Sequence, residues 1–296
     1  MLFRSGITYV NTGQVERFTD EESFYRFLGL QYIPPELRED MGEIALAERN
    51  ALPALIEVRD IKGDLHAHST GSDGIDTIED MAVAAAAMGY EYLAITDHSS
   101  GRNIGTGKKM ERVQKQTAEI NRLNRSSIGV YLLNGVEVDI RADGSLDLSD
   151  EVLAGLDIVV ASVHSSFLQS REVMTRRIIG AIENPNVDIV AHPTCRKIGE
   201  REPVDVDLEA VFSAAVRYGK ALEINAIPDR LDLKDIDAHR ARELGVMLAI
   251  GTDAHAVSHL GFMKFGIGLA RRAWCQPKDI LNTRPLKEVL EYLRKE

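Results

Sequence analysis

The amino-acid sequence predicts an α/β fold in which repeated βα units build a parallel sheet, preceded by a short appendage of different character. Three observations carry this prediction. From Ile61 onward, seven short apolar, β-branched runs alternate with amphipathic helical stretches, as a parallel sheet requires, because each strand must be crossed over before the next can pair with it. Six of the seven runs end in a residue type that binds metals, as expected where strand ends converge on one face of a closed parallel barrel. The 296 residues suit one large α/β domain with an appendage better than two equal domains.

The appendage comes first. It is polar and is broken by Ile33-Pro34-Pro35-Glu36. Thr19-Asp20-Glu21-Glu22, ahead of Phe24, Tyr25, Phe27 and Leu28, reads as a capped short helix that stops at Gly29. Between Glu36 and Asp60 seven acids stand against three arginines, which predicts a solvated linker. The expected division is therefore 1–60 and 61–296.

The apolar runs lie near 61–67, 92–96, 130–136, 157–163, 187–191, 221–225 and 246–250. Between the first two, Thr77-Ile78-Glu79-Asp80 is a capping-box start, the alanines of 82–88 favour helix, and Gly89 is a fitting stop. Further helices are expected near 110–124, 172–183, 207–218 and 235–244.

Composition narrows the function classes. The chain is 44% hydrophobic and 27% charged, an ordinary globular balance. A formal net charge of −11 repels polyanions, so contact with nucleic acid has to rest on a local basic patch or on bound cations. Cys195 and Cys275 make no disulfide framework, and no apolar run approaches a membrane span, so a cytoplasmic protein without membrane contact is expected.

The chemistry begins at Gly63-Asp64-Leu65-His66-Ala67-His68. Two histidines two residues apart on extended chain project to the same side and can share one ion. The Gly71-Ser72-Asp73-Gly74 turn folds Asp73 back towards them. The later run ends supply His98, Glu137, His164, His192, Asp253 and His255, so that six of the eight histidines fall at strand ends. Imidazole mixed with carboxylate suits Zn, Mn or Fe and disfavours an all-oxygen Mg or Ca cage. About nine donors exceed what one ion takes, which implies two or three divalent ions, with Glu137 able to bridge two through its two oxygens. Closely spaced cations lower the pKa of a bound water and neutralise phosphoryl oxygens. No serine-nucleophile elbow, phosphate loop or dinucleotide fingerprint competes, so metal-assisted hydrolysis is the expected reaction class.

Asp64-Leu65-His66-Ala67-His68 with Ser72-Asp73-Gly74, Thr96-Asp97-His98, Gly135-Val136-Glu137, Ser162-Val163-His164, His192-Pro193 and Thr252-Asp253-Ala254-His255 resemble the successive motifs of the PHP (polymerase and histidinol phosphatase) superfamily. The resemblance covers about residues 61–296. It implies a distorted seven-stranded (βα) TIM-like barrel with a trinuclear centre. One ion would be held by His66, His68, Glu137 and Asp253, a second by Asp73, His98 and His255, and a third by Glu137, His164 and His192. Upstream, Tyr25-Arg26-Phe27-Leu28-Gly29-Leu30 and Tyr32-Ile33-Pro34-Pro35-Glu36-Leu37-Arg38-Glu39 are similar to the end of the thumb in bacterial and archaeal family-X DNA polymerases. That subfamily's PHP domain implies Mn-dependent 3′-5′ exonuclease or DNA-end processing. The helix-hairpin-helix region and the palm aspartates have no room here, so polymerase activity is expected to be missing, in a truncated or stand-alone PHP portion with a thumb remnant. One departure from the subfamily is the longer loop Asn103-Ile104-Gly105-Thr106-Gly107-Lys108-Lys109 after His98.

The expected function is thus a metal-dependent phosphoesterase acting on DNA 3′ ends. A small-molecule phosphatase, on histidinol phosphate or a nucleotide, is the alternative that the net charge favours. A docking module for a separate polymerase polypeptide is a third, against which the full donor set argues. Arg176, Arg177, Arg196, Lys197 and Arg201, with Lys108 and Lys109, form either a phosphate-gripping rim or ordinary helix-surface charge. Asp97 and Asp139 either orient a ligand imidazole or cap a loop. His239 is expected to be solvated, His259 to be a loop residue or a support for its neighbour, and Cys195 to be a buried, inert thiol.

Overall fold

The structure is a computed structural model. It describes residues 6–99 and 106–294, without the side chains of 106–108. The chain forms two compact units, Met1–Ala54 and Leu55–Glu296.

The first unit pairs β1 (Gly6–Thr8) with β2 (Val15–Arg17) antiparallel, followed by α1 (Glu21–Phe27) and α2 (Glu43–Ala47). Asp20 caps α1 by accepting the Ser23 N–H at 2.7 Å, while Ser23 Oγ reaches back to the Asp20 backbone. The predicted linker is less solvated than its acids suggest. Leu37, Ala47 and Ile56 are buried, and Glu43 is buried too, accepting the Asp40 and Met41 N–H groups ahead of α2.

In the second unit all seven apolar runs become strands: β3 (Gly63–Asp64), β4 (Tyr92–Ile95), β5 (Tyr131–Asp139), β6 (Ile158–Ser162), β7 (Ile189–Val190), β8 (Ala221–Asn225) and β9 (Leu248–Gly251). They pair in chain order, every pair parallel. A parallel bridge between Ala67 and Ala254 joins the first strand's extension to the last, so the sheet nearly closes into a barrel. Buried Asp64 seals that seam, accepting from the Thr252 N–H and hydroxyl.

The crossovers are α3 (Ile78–Ala87), α4 (Thr106–Asn124), α5 (Asp150–Ala154), α6 (Arg171–Glu183), α7 (Leu208–Tyr218) and α8 (Asp235–Glu243). Thr77, Ser170 and Asp207 cap three of them through their side chains. Two C-terminal helices, α9 (Met263–Arg272) and α10 (Leu286–Tyr292), complete the unit and were not foreseen from sequence. No described helix is long and apolar enough to cross a membrane.

Period-two alternation sorts the strand residues into two layers. Leu93, Leu132, Val159, Leu222, Leu248 and Ile250 face the helices. Tyr92, Ala94, Leu133, Ile158, Val160, Ile189, Ala221 and Ala249 face inward, and Leu281, Val289 and Leu293 pack with them to fill the N-terminal end of the barrel. Continuing the inward row towards the C-terminal ends runs from Leu133 to Gly135 and Glu137, and from Ala221 to Glu223 and Asn225. The barrel interior therefore changes from apolar to polar along its own axis.

Candidate metal centre

Every candidate donor sits on this polar end. Three groups of donor atoms lie mutually within 4.8 Å: His66, His68, Glu137 and Asp253; His68, Asp73, His98 and His255; and His98, Glu137 and His164. In the first, His68 Nε2 is 3.0 Å from Asp253 Oδ1, 3.2 Å from His66 Nε2 and 3.4 Å from Glu137 Oε2. Two donors bound tetrahedrally to one zinc ion at ~2.0–2.1 Å stand about 3.3–3.4 Å apart, so this spacing fits a shared cation. In the second, the Ser72-Asp73 turn brings Asp73 Oδ1 to 3.3 Å from His255 Nε2 and Oδ2 to 3.6 Å from His98 Nε2. His192 joins through Glu137 Oε1, which lies 3.1 Å from its Nε2 and 3.2 Å from His164 Nε2.

Glu137 is the common member. Its Oε2 receives no well-aligned hydrogen bond from the described residues, yet it is buried and stands 2.9 Å from His98 Nδ1 and 3.5 Å from His66 Nε2. A buried anionic oxygen ringed by imidazole nitrogens is placed to meet a cation. Burial pushes the Glu137 carboxyl up, but the charges of His98, His164 and His66 outweigh it and hold it well below the usual range. Burial holds the His68 imidazole low, and burial with the Arg230 charge does the same for His192, which favours their neutral, ligating form.

The outer nitrogens of several rings are also fixed. His66 Nδ1 is 2.6 Å from Glu223 Oε1, His164 Nδ1 is 2.6 Å from Asp139 Oδ1, and His255 Nδ1 is 2.7 Å from the Asp253 carbonyl. With Nδ1 donating, each ring turns Nε2 inward, the arrangement usual around bound metals. His192 and Asp253 carry φ of 29° and 50°, conformations that L residues rarely adopt and that cost roughly 1–3 kcal/mol each. Backbone held that way at two donor positions aims their side chains across the barrel mouth.

The PHP domain family matches residues 64–226, and the DNA polymerase beta thumb family matches residues 2–39. The chain belongs to the PHP family. It is 44% identical over 98% of its length to the Bacillus subtilis (strain 168) protein named DNA polymerase/3′-5′ exonuclease PolX, of which it spans 50%. It is 32% identical over 78% of its length to a Thermoanaerobacter sp. (strain X514) protein named "probable phosphatase", of which it covers 94%. In fold it is similar to the Lactococcus lactis histidinol phosphate phosphatase solved with Zn, L-histidinol and phosphate, at TM-score 0.50 and 18% identity, covering 72% of this chain and 93% of that one. Membership of the PHP family together with the histidine-carboxylate cluster makes the chain a metal-dependent phosphoesterase.

Elsewhere in the PHP domain the structure departs from the sequence reading. The arginine rim does not assemble. Arg176 is exposed on α6 and pairs with Glu172, one turn away. Arg177 is 2% exposed and donates to the Ile140 and Ser165 carbonyls and to Gln169 Oε1, so it braces two loops instead of facing substrate. Arg196 is spent on the Arg230 and Leu231 carbonyls. The Lys108 side chain and residues 103–105 lie outside the described residues. Lys109 pairs with Asp147. Among the described residues, a cation that does reach the cluster is Arg230, missed from sequence, whose Nε lies 3.7 Å from Asp253 Oδ2 on a side chain 13% exposed.

Asp97 proves to be a loop cap: it accepts the Ser69 N–H, the Ser69 hydroxyl and the Ser72 hydroxyl, and so shapes the turn that carries Asp73. Gly71 is needed there, because a Cβ would lie 2.3 Å from Asp97 Oδ2. His239 is half-buried instead of fully solvated; it packs edge-on against Trp274, with Nδ1 3.2 Å from the Ala273 carbonyl. His259 accepts the His255 N–H and supports that donor. Cys195 is buried, which pushes its thiol up to about 12.

Proposed function

We propose that this PHP domain holds two or three divalent ions and hydrolyses DNA phosphodiesters from 3′ ends. The observation that carries the reading is Glu137, a single buried carboxylate shared by two of the three donor groups and in contact with His192 as well. On this reading His66, His68, Glu137 and Asp253 hold one ion, Asp73, His98 and His255 a second, and Glu137, His164 and His192 a third. Ions of Zn, Mn or Fe held there supply an acidified water and charge neutralisation, the two requirements of phosphoester hydrolysis. The chain's own residues do the rest. Asp139 and Glu223 fix imidazole orientation, and Arg230 sets a permanent positive charge beside the cluster for non-bridging phosphoryl oxygens.

The thumb match and the Bacillus relative named as an exonuclease support DNA as substrate. A phosphorylated small molecule is the second reading, favoured by the net charge of −11 and by the phosphatase relative that the chain nearly spans. One experiment separates them. A 5′-labelled single-stranded oligonucleotide is incubated with the protein and Mn, beside a phosphate-release assay on histidinol phosphate, with His68→Ala and Arg230→Ala variants. The proposal expects a ladder shortening from the 3′ end, lost in His68→Ala and weakened at least tenfold in Arg230→Ala. Phosphate release without a ladder would transfer the protein to small-molecule hydrolysis.

A further inference from the structure

Strand β8 is the one strand of the barrel that ends in no candidate ligand, yet its inward side chains touch the donors of three other strands. Glu223 is 1% exposed. Its Oε1 lies 2.6 Å from His66 Nδ1, and its Oε2 accepts the His192 backbone N–H at 2.8 Å and the Asn225 amide at 3.1 Å. The same Asn225 Nδ2 donates to Asp253 Oδ2 at 3.0 Å. Room for this carboxylate is made by Gly251 on β9, where a Cβ would lie 2.1 Å from Glu223 Oε1 and 2.8 Å from His66 Cβ. We infer that Glu223, with Asn225, is a positioning pair that sets the His66 tautomer and ties donors from β3, β7 and β9 into one rigid frame. The inference rests on the metal-centre reading above.

The chemistry leaves no substitute for a carboxylate. Both Glu223 oxygens act as acceptors, one towards His66 and one towards two N–H donors. A glutamine has one oxygen and one NH2 group. If its oxygen faces His66, the NH2 opposes the His192 N–H and the Asn225 amide, and a buried donor at the strained His192 backbone goes unpaired. If its NH2 faces His66, Nδ1 must accept, the proton moves to Nε2, and Nε2 no longer offers a lone pair to the first ion. Either arrangement weakens that ion's site without altering any ligand, and outer-sphere partners of this kind commonly affect metal affinity 10- to 100-fold.

The test compares the full chain with Glu223→Gln, Asn225→Ala and Gly251→Ala, the last crowding both the carboxylate and the His66 Cβ while leaving every charge in place. Each is stripped of metal and titrated with Co(II), followed by its d–d absorption and by competition with a chromophoric chelator; thermal melting of the stripped proteins checks the fold. The expected result is a 10- to 100-fold weaker first equivalent in Glu223→Gln and Gly251→Ala, a smaller loss in Asn225→Ala, an altered d–d spectrum, and unchanged later equivalents. Wild-type spectrum and affinity in a folded Glu223→Gln and in Gly251→Ala would overturn the inference while leaving the metal centre intact. A wild-type protein that takes up no Co(II) would instead overturn the metal-centre reading beneath it.

Discussion

Asp232 shows how much a single buried side chain contributes. It is fully buried, and its carboxylate accepts from the Thr194 N–H and hydroxyl, joining the loops that follow β7 and β8. Burial pushes its pKa up to about 7, with the Thr194 hydrogen bonds opposing only part of that rise. An acid whose folded pKa exceeds its unfolded value favours folding fully below the unfolded pKa, and loses that contribution as pH rises through the folded pKa. Wild-type stability measured relative to Asp232→Asn should therefore fall between about pH 4 and pH 7, by a few kcal/mol. Urea unfolding of both proteins across that range checks it, and a difference that does not change with pH contradicts it. The residues legible in sequence were those at strand ends, because a ligand type following an apolar run stands out. No pattern in the sequence assigned a role to Glu223, although it lies in the subfamily-like stretch Leu222-Glu223-Ile224-Asn225, or to Arg230. Glu223 lies inside its run, where only the two-residue alternation shared with Glu137 would have placed it inward, and Arg230 sits in a loop with no pattern to mark it. Arg176 and Arg177 looked alike in sequence, yet adjacent positions on a helix face different ways, and one is solvated while the other is buried.

The elements divide by what each must satisfy. The strands were legible because both faces are buried, which demands unbroken apolar runs. Their lengths were not: β3 and β7 are two residues long, since the chain leaves the ladder early to bring His66, His68 and His192 inward. The C-terminal segment escaped notice because its role is long-range. Leu281, Val289 and Leu293 are each 4% exposed or less and fill the barrel end opposite the cluster, a task that no local pattern announces. Leu281→Ala should cost about 2–5 kcal/mol of stability, as large-to-small changes in a packed interior do. Denaturant unfolding measures it, with metal affinity expected to be unchanged because the cluster lies at the other end of the barrel. A loss under 1 kcal/mol would show that the plug carries little of the stability.

At the scale of the whole molecule, the barrel separates stability from chemistry along one axis. Its apolar layer and C-terminal plug hold one end, and nine candidate donors carried by six strands and their following loops gather at the other, eight in the three close groups and His192 through Glu137. A multi-metal centre organised by Glu137 would show itself in metal stoichiometry. The wild type and Glu137→Ala are loaded with Zn or Mn, freed of excess ion, and analysed for metal per chain. Two or three equivalents are expected in the wild type and at most one in Glu137→Ala, with the fold retained. A wild type that holds no metal, or a Glu137→Ala variant that keeps the full complement, would contradict it.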